Sequence, residues 1–97
     1  MKIAIITGAS SGLGKEFVKQ TVEEGGNDQI WVIARREDRL NELKKEYGDI
    51  IVPIAGDLTN PKFIYEYMIK LENEKPFVRL LVNASGFAKF GNYESIP

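Results

Sequence analysis

The eight residues from Thr7 to Gly14, Thr-Gly-Ala-Ser-Ser-Gly-Leu-Gly, have the make-up of an anion cradle. Backbone N–H groups can hold an anion only where side chains leave room for it. This stretch supplies Gly8, Gly12 and Gly14, with Ser10 and Ser11 between them. The apolar run Ile3-Ala4-Ile5-Ile6 precedes it, and Leu13, Phe17, Val18 and Val22 follow at helical spacing. The glycines therefore join a buried strand to the first turn of a helix, where backbone N–H groups and the helix dipole favour negative charge. A purely structural turn seldom needs three glycines and two serines. A Walker-type phosphate loop fails on detail. Lys15 follows Gly14, but Ala9 stands where the first Gly of that loop belongs, and Glu16 replaces the required Ser or Thr.

What the chain lacks narrows its chemistry. It has no Cys and no His, which removes disulfides, thiolate metal sites and the commonest general base at neutral pH. No metal site is expected. The formal net charge of −1 lacks the basic excess of a general nucleic-acid-binding surface. The N-terminal apolar run is too short for a signal peptide or a membrane span, so a cytoplasmic location is expected. With 97 residues the chain is sized for one domain.

The elements that must position the glycine turn read as alternating strands and helices. Residues 2–6 form a strand, and the helix after the turn stops at Gly25-Gly26. Residues 30–34 form a second strand. Leu40, Leu43 and Tyr47 make one stripe of an amphipathic helix over 37–47, ended by Gly48. Residues 50–55 form a third strand, placed at a sheet edge because Pro53 cannot donate to a ladder. Asn60 and Pro61 read as the N-cap and first residue of a helix reaching Glu74. Leu80-Leu81-Val82 reads as a fourth strand, and the last eleven residues as irregular. This βαβαβαβ order predicts an α/β fold with a parallel sheet and right-handed crossovers.

The pattern T-G-x-x-x-G-x-G from Thr7 to Gly14 resembles the signature of the short-chain dehydrogenase/reductase family. Ala34-Arg35-Arg36 after the second strand and Gly56-Asp57-Leu58-Thr59 after the third agree with it. Leu81-Val82-Asn83-Ala84-Ser85-Gly86 is similar to the family's N-N-A-G motif, with Ala84 in place of the second Asn. The resemblance implies a Rossmann-type sheet of order 3-2-1-4, in a single partial dinucleotide-binding domain over 1–97. It implies no catalytic residue here. The family's catalytic Ser and Y-x-x-x-K pair follow the N-N-A-G segment, and no Tyr of this chain has Lys four residues on. The chain alone is expected to be inactive.

The same resemblance assigns a cofactor site. Gly8, Ser10, Ser11, Gly12, Leu13 and Gly14 would hold the pyrophosphate. Dinucleotide folds place an acid at the end of the second strand for a ribose 2′-hydroxyl, or an Arg nearby for a 2′-phosphate. Here Ala34 is followed by Arg35 and Arg36, which favours NADP over NAD, with Arg35 as phosphate ligand and Ser10 as helper. The alternative is that both arginines are solvated residues of a helix start. By family position, Asp57 would accept from the adenine amino group and Leu58 touch the ring. Asp57 could instead cap the following helix, a task that Asn60 already suits. Asn83, Ala84, Ser85 and Gly86 would lie near the adenosine ribose.

Residues 79–83 would form an open apolar edge, which predicts self-association through it. The competing readings are a self-sufficient nucleotide-binding or self-assembling module and, more remotely, a methyltransferase, which shares the glycine turn but prefers an acid where Ala34 stands.

Overall fold

The computed structural model describes residues 1–84. Strand β1 (Lys2–Thr7) leads through the glycine turn into α1 (Gly12–Glu24). Strand β2 (Gln29–Ala34), α2 (Glu37–Tyr47), β3 (Ile51–Ala55), α3 (Pro61–Glu74) and β4 (Phe77–Asn83) follow. All strand pairs are parallel and the sheet order is β3-β2-β1-β4, as the family resemblance implied.

Both faces of the inner strands are covered, which explains why β1 and β2 read as continuous apolar runs rather than alternating ones. Alternate residues point to opposite faces. Ala4, Ile6, Ile30 and Val32 pack with Val18 of α1 and Leu40 and Leu43 of α2. On the other face, Ile3, Ile5, Trp31 and Ile33 meet Phe63, Tyr67 and Leu71 of α3. Trp31 is fully buried and meets Tyr67 edge-on, with ring centroids 6.5 Å apart.

Local signals end the elements where expected. Gly25 (φ 75°) and Gly48 (φ 88°) close α1 and α2 in a backbone region that only glycine enters without strain. Asn60 accepts a hydrogen bond from the Lys62 N–H at 2.9 Å, and Pro61 opens α3. Strand β3 is the outer strand on its side, with Pro53 opposite Val32. Strand β4 is longer than its apolar run suggested, because Phe77 N–H donates to the Met1 carbonyl at 2.7 Å and extends the pairing. The register shifts between Ile3 and Ala4, which pair with Val78 and Leu80, so Arg79 is the extra residue of a bulge.

Among the described residues, β4 is the other edge. Phe77, Val78, Leu80 and Leu81 are all exposed, and α3 carries no fully buried residue. Among the described residues, no helix is long and apolar enough to cross a membrane.

Candidate functional site

Parallel pairing carries the C-terminal ends of all four strands to one edge of the sheet. Thr7 lies opposite Ile33 on one side and Asn83 on the other, and Ala34 lies opposite Ala55. The segments singled out from sequence, Gly8–Gly14, Arg35–Arg36, Asp57–Leu58 and Asn83–Ala84, therefore emerge side by side. Ser85 and Gly86 lie outside the described residues.

The glycine turn is tied down from within. Gly8 takes φ 67° to leave β1. The buried Ala9 donates its N–H to the Ile33 carbonyl at 3.3 Å, fastening the turn to β2. Ser11 is the N-cap of α1: its Oγ accepts from the Gly14 N–H at 2.9 Å and donates to the Gly8 carbonyl at 2.8 Å. Of the four N–H groups that open α1, those of Ser11 and Gly14 are thus satisfied, the former by the Gly8 carbonyl at 3.1 Å. Those of Gly12 and Leu13 have no protein partner among the described residues.

The glycines differ in what they allow. A Cβ on Gly14 would collide with the Gly8 carbonyl and come within 2.8 Å of the Ala9 Cα, so Gly14 lets α1 press onto the turn. A Cβ on Gly12 would meet nothing within 4 Å. The fold does not need Gly12 to be small, and an uncovered helix start is where backbone N–H groups can take an anion.

The neighbouring strand ends add charge. Arg35 and Arg36 follow Ala34 as exposed residues. Arg36 forms a two-point pair with Asp38, Nε to Oδ1 at 3.2 Å and Nη2 to Oδ2 at 3.1 Å. Gly56 N–H donates to the Ala34 carbonyl at 2.9 Å and extends the pairing of β2 and β3 past Ala55. Asp57 does not cap α3, since Asn60 does. Its Oδ1 accepts instead from the N–H (2.8 Å) and hydroxyl (2.7 Å) of Thr59. These two bonds, hydroxyl first, lower the Asp57 pKa below the ordinary carboxylate value, and the charge of Arg35 adds to the effect.

At the end of β4, the Thr7 hydroxyl donates to Asn83 Oδ1 at 2.8 Å and lies 3.3 Å from the Val82 carbonyl. Ala84 N–H donates to the Thr7 carbonyl at 3.0 Å. Three supporting residues, Thr7, Thr59 and Asp38, were not singled out from sequence as site residues. Thr59 was legible as the partner of an Asp two residues before it in a turn. Thr7 was not, because Asn83 is 76 residues away.

The site is an open strand-end surface. A groove of about 300 Å³ lies beside it between α1 and α2, touching the turn through Gly12 and Lys15. Lys15, Lys19 and Arg39 face Glu16, Glu42 and Glu46 around it. This near-balance of charge favours neither sign of ligand. Among the described residues, no group of three or more carboxylates could hold a metal ion.

The family model for short chain dehydrogenase matches residues 2–97. A short chain dehydrogenase of Pseudocercospora fijiensis is 37% identical over 93% of this chain, which covers 29% of that protein. A protein of Dichelobacter nodosus described as a probable NADP-dependent dehydrogenase is 36% identical over 89% of the chain, here covering 79% of the relative. Among solved structures, L-sorbose reductase from Gluconobacter frateurii, in complex with NADPH and L-sorbose, superposes with a TM-score of 0.66. It is 30% identical, over 82% of this chain and 31% of that one. The chain thus spans about a third of the length of two of these three proteins and most of the third.

Proposed function

The chain belongs to the short chain dehydrogenase family, and on that premise we propose that it is the cofactor-binding portion of an NADP-dependent short-chain oxidoreductase. The observation that carries this reading is the strand-end edge where the helix-start N–H groups of Gly12 and Leu13 have no protein partner among the described residues and where β2 is followed by Arg35 in place of a carboxylate. The NADP-dependent relative and the NADPH-bound structure support the choice of cofactor.

In this reading the N–H groups of Gly12 and Leu13 hold the pyrophosphate at the positive end of α1. Arg35, with Ser10 as helper and Arg36 next in the chain, takes the 2′-phosphate, because a guanidinium fork matches phosphate oxygens. Asp57 accepts from the adenine amino group, and Leu58 borders the ring. Asn83, Ala84, Ser85 and Gly86 border the adenosine ribose. When bound, NADP supplies the hydride-carrying nicotinamide. The chain has no Tyr-x-x-x-Lys and no His, so its own residues bind and orient the cofactor without a catalytic set, and the chain alone is inactive. A cytoplasmic location and the absence of a nucleic-acid partner belong to the same reading.

Titration with NADPH and NADH, followed by cofactor fluorescence, tests it. NADPH should bind more tightly, and Arg35→Ala should remove most of the difference while sparing NADH. Preference for NADH overturns the assignment of Arg35. No binding of either cofactor overturns the binding function.

A second reading, a self-associating module, is favoured by β4, whose apolar side chains are exposed along an edge that no described strand pairs. We propose that a second copy of the chain pairs there.

A further inference from the structure

Arg35 and Arg36 follow β2 one after the other, both exposed. The charge of Arg35 acts on Asp57 at the end of β3. Arg36 turns along α2 and gives its Nε–Nη2 edge to the two oxygens of Asp38, at 3.2 and 3.1 Å. Glu42, one helical turn beyond Asp38, adds a smaller effect of its charge on Arg36. Arg36 is the N-cap of α2 and makes no side-chain cap bond to the helix, while the backbone of Asp38 and Arg39 adds to the hold on the Asp38 carboxylate. A guanidinium grips phosphate with the same two-donor edge that it offers a carboxylate. Asp38 and a phosphate therefore compete for one edge of Arg36.

We infer that Asp38 parks Arg36 on α2 and so limits the hold of the chain on a 2′-phosphate, making Asp38 a determinant of cofactor preference that acts through Arg36. This rests on the NADP reading above and names a residue that weakens it. Both partners are more than half exposed, at 61% and 65%. Exposed pairs open readily, so the effect is a few-fold change and not a switch.

Calorimetric titration of the whole chain with 2′,5′-ADP and with 5′-AMP separates the two ideas. Tighter binding of 2′,5′-ADP by the unchanged chain supports the NADP reading, and equal or absent binding overturns that reading and this inference with it. Given the preference, Asp38→Asn should tighten 2′,5′-ADP about three-fold and leave 5′-AMP unchanged. Glu37→Gln removes the same charge one residue away and should gain much less. In an Arg36→Ala background, Asp38→Asn should have no effect, which a double-mutant cycle reads directly. An unchanged or weaker affinity in Asp38→Asn overturns the inference, as does a gain that survives loss of Arg36. Asp38→Ser, with a residue suited to a helix start, repeats the test should the Asn variant fold poorly.

Discussion

At the scale of single residues, the glycine turn separates two tasks that one motif combines. Gly14 serves the fold, because a side chain there meets backbone atoms of Gly8 and Ala9 that cannot swing aside. Gly14→Ala should cost about 3 kcal/mol, read by chemical denaturation. Gly12 faces open space and has no need of a positive φ. Gly12→Ala should leave stability within about 0.5 kcal/mol of the parent, yet weaken NADPH binding at least ten-fold. Unchanged binding in Gly12→Ala would remove the pyrophosphate from this turn. Asp57 makes a different prediction. Its folded pKa lies below the unfolded value, so its contribution to stability is present above about pH 4. That contribution is lost as pH falls through the lower folded value. A carboxyl NMR titration should place Asp57 below the ordinary range, and Thr59→Val should move it back up. A midpoint that stays put in the variant would assign the shift to another cause.

At the scale of elements, α2 aims the two arginines, and it is held by few residues. Leu40 and Leu43 are its buried anchors, against the β2 and β3 side of the core. Leu40→Ala should cost about 3 kcal/mol. Because Arg35 and Arg36 lead into this helix, the preference for NADPH over NADH should fall along with stability. A helix that loses stability but keeps its full preference would show that the β2 end alone orients Arg35. Element boundaries were largely legible. Gly25, Gly48, Asn60 and Pro61 act locally, through backbone freedom and capping, and need no distant partner to be read. The start of β4 was not, since Phe77 and Val78 join it only by pairing with Lys2 and Ile3.

At the scale of the whole molecule, the sheet of the described residues is covered at the centre and open at β4. Leu81 is 64% exposed on this edge, beside Phe77 at 66%. Unpaired apolar edges recruit other strands, and a Lys on such an edge opposes it. Size-exclusion should show concentration-dependent assembly of the chain. Leu81→Lys should shift it to monomer with little loss of stability, the side chain being exposed already. Elution of the parent chain as a compact monomer at all concentrations would refute edge pairing.

The order of elements, the glycine turn and the paired arginines were determined by sequence alone, because each rests on local spacing and residue type. Tertiary structure decided what those residues do to one another. Parallel pairing brings Thr7, Ala34, Ala55 and Asn83 to one edge, and joins Thr7 to a partner 76 residues away. It also assigns Gly14 to packing and Gly12 to open space. Those distinctions depend on which backbone lies above each Cα, and residue spacing carries no information about that.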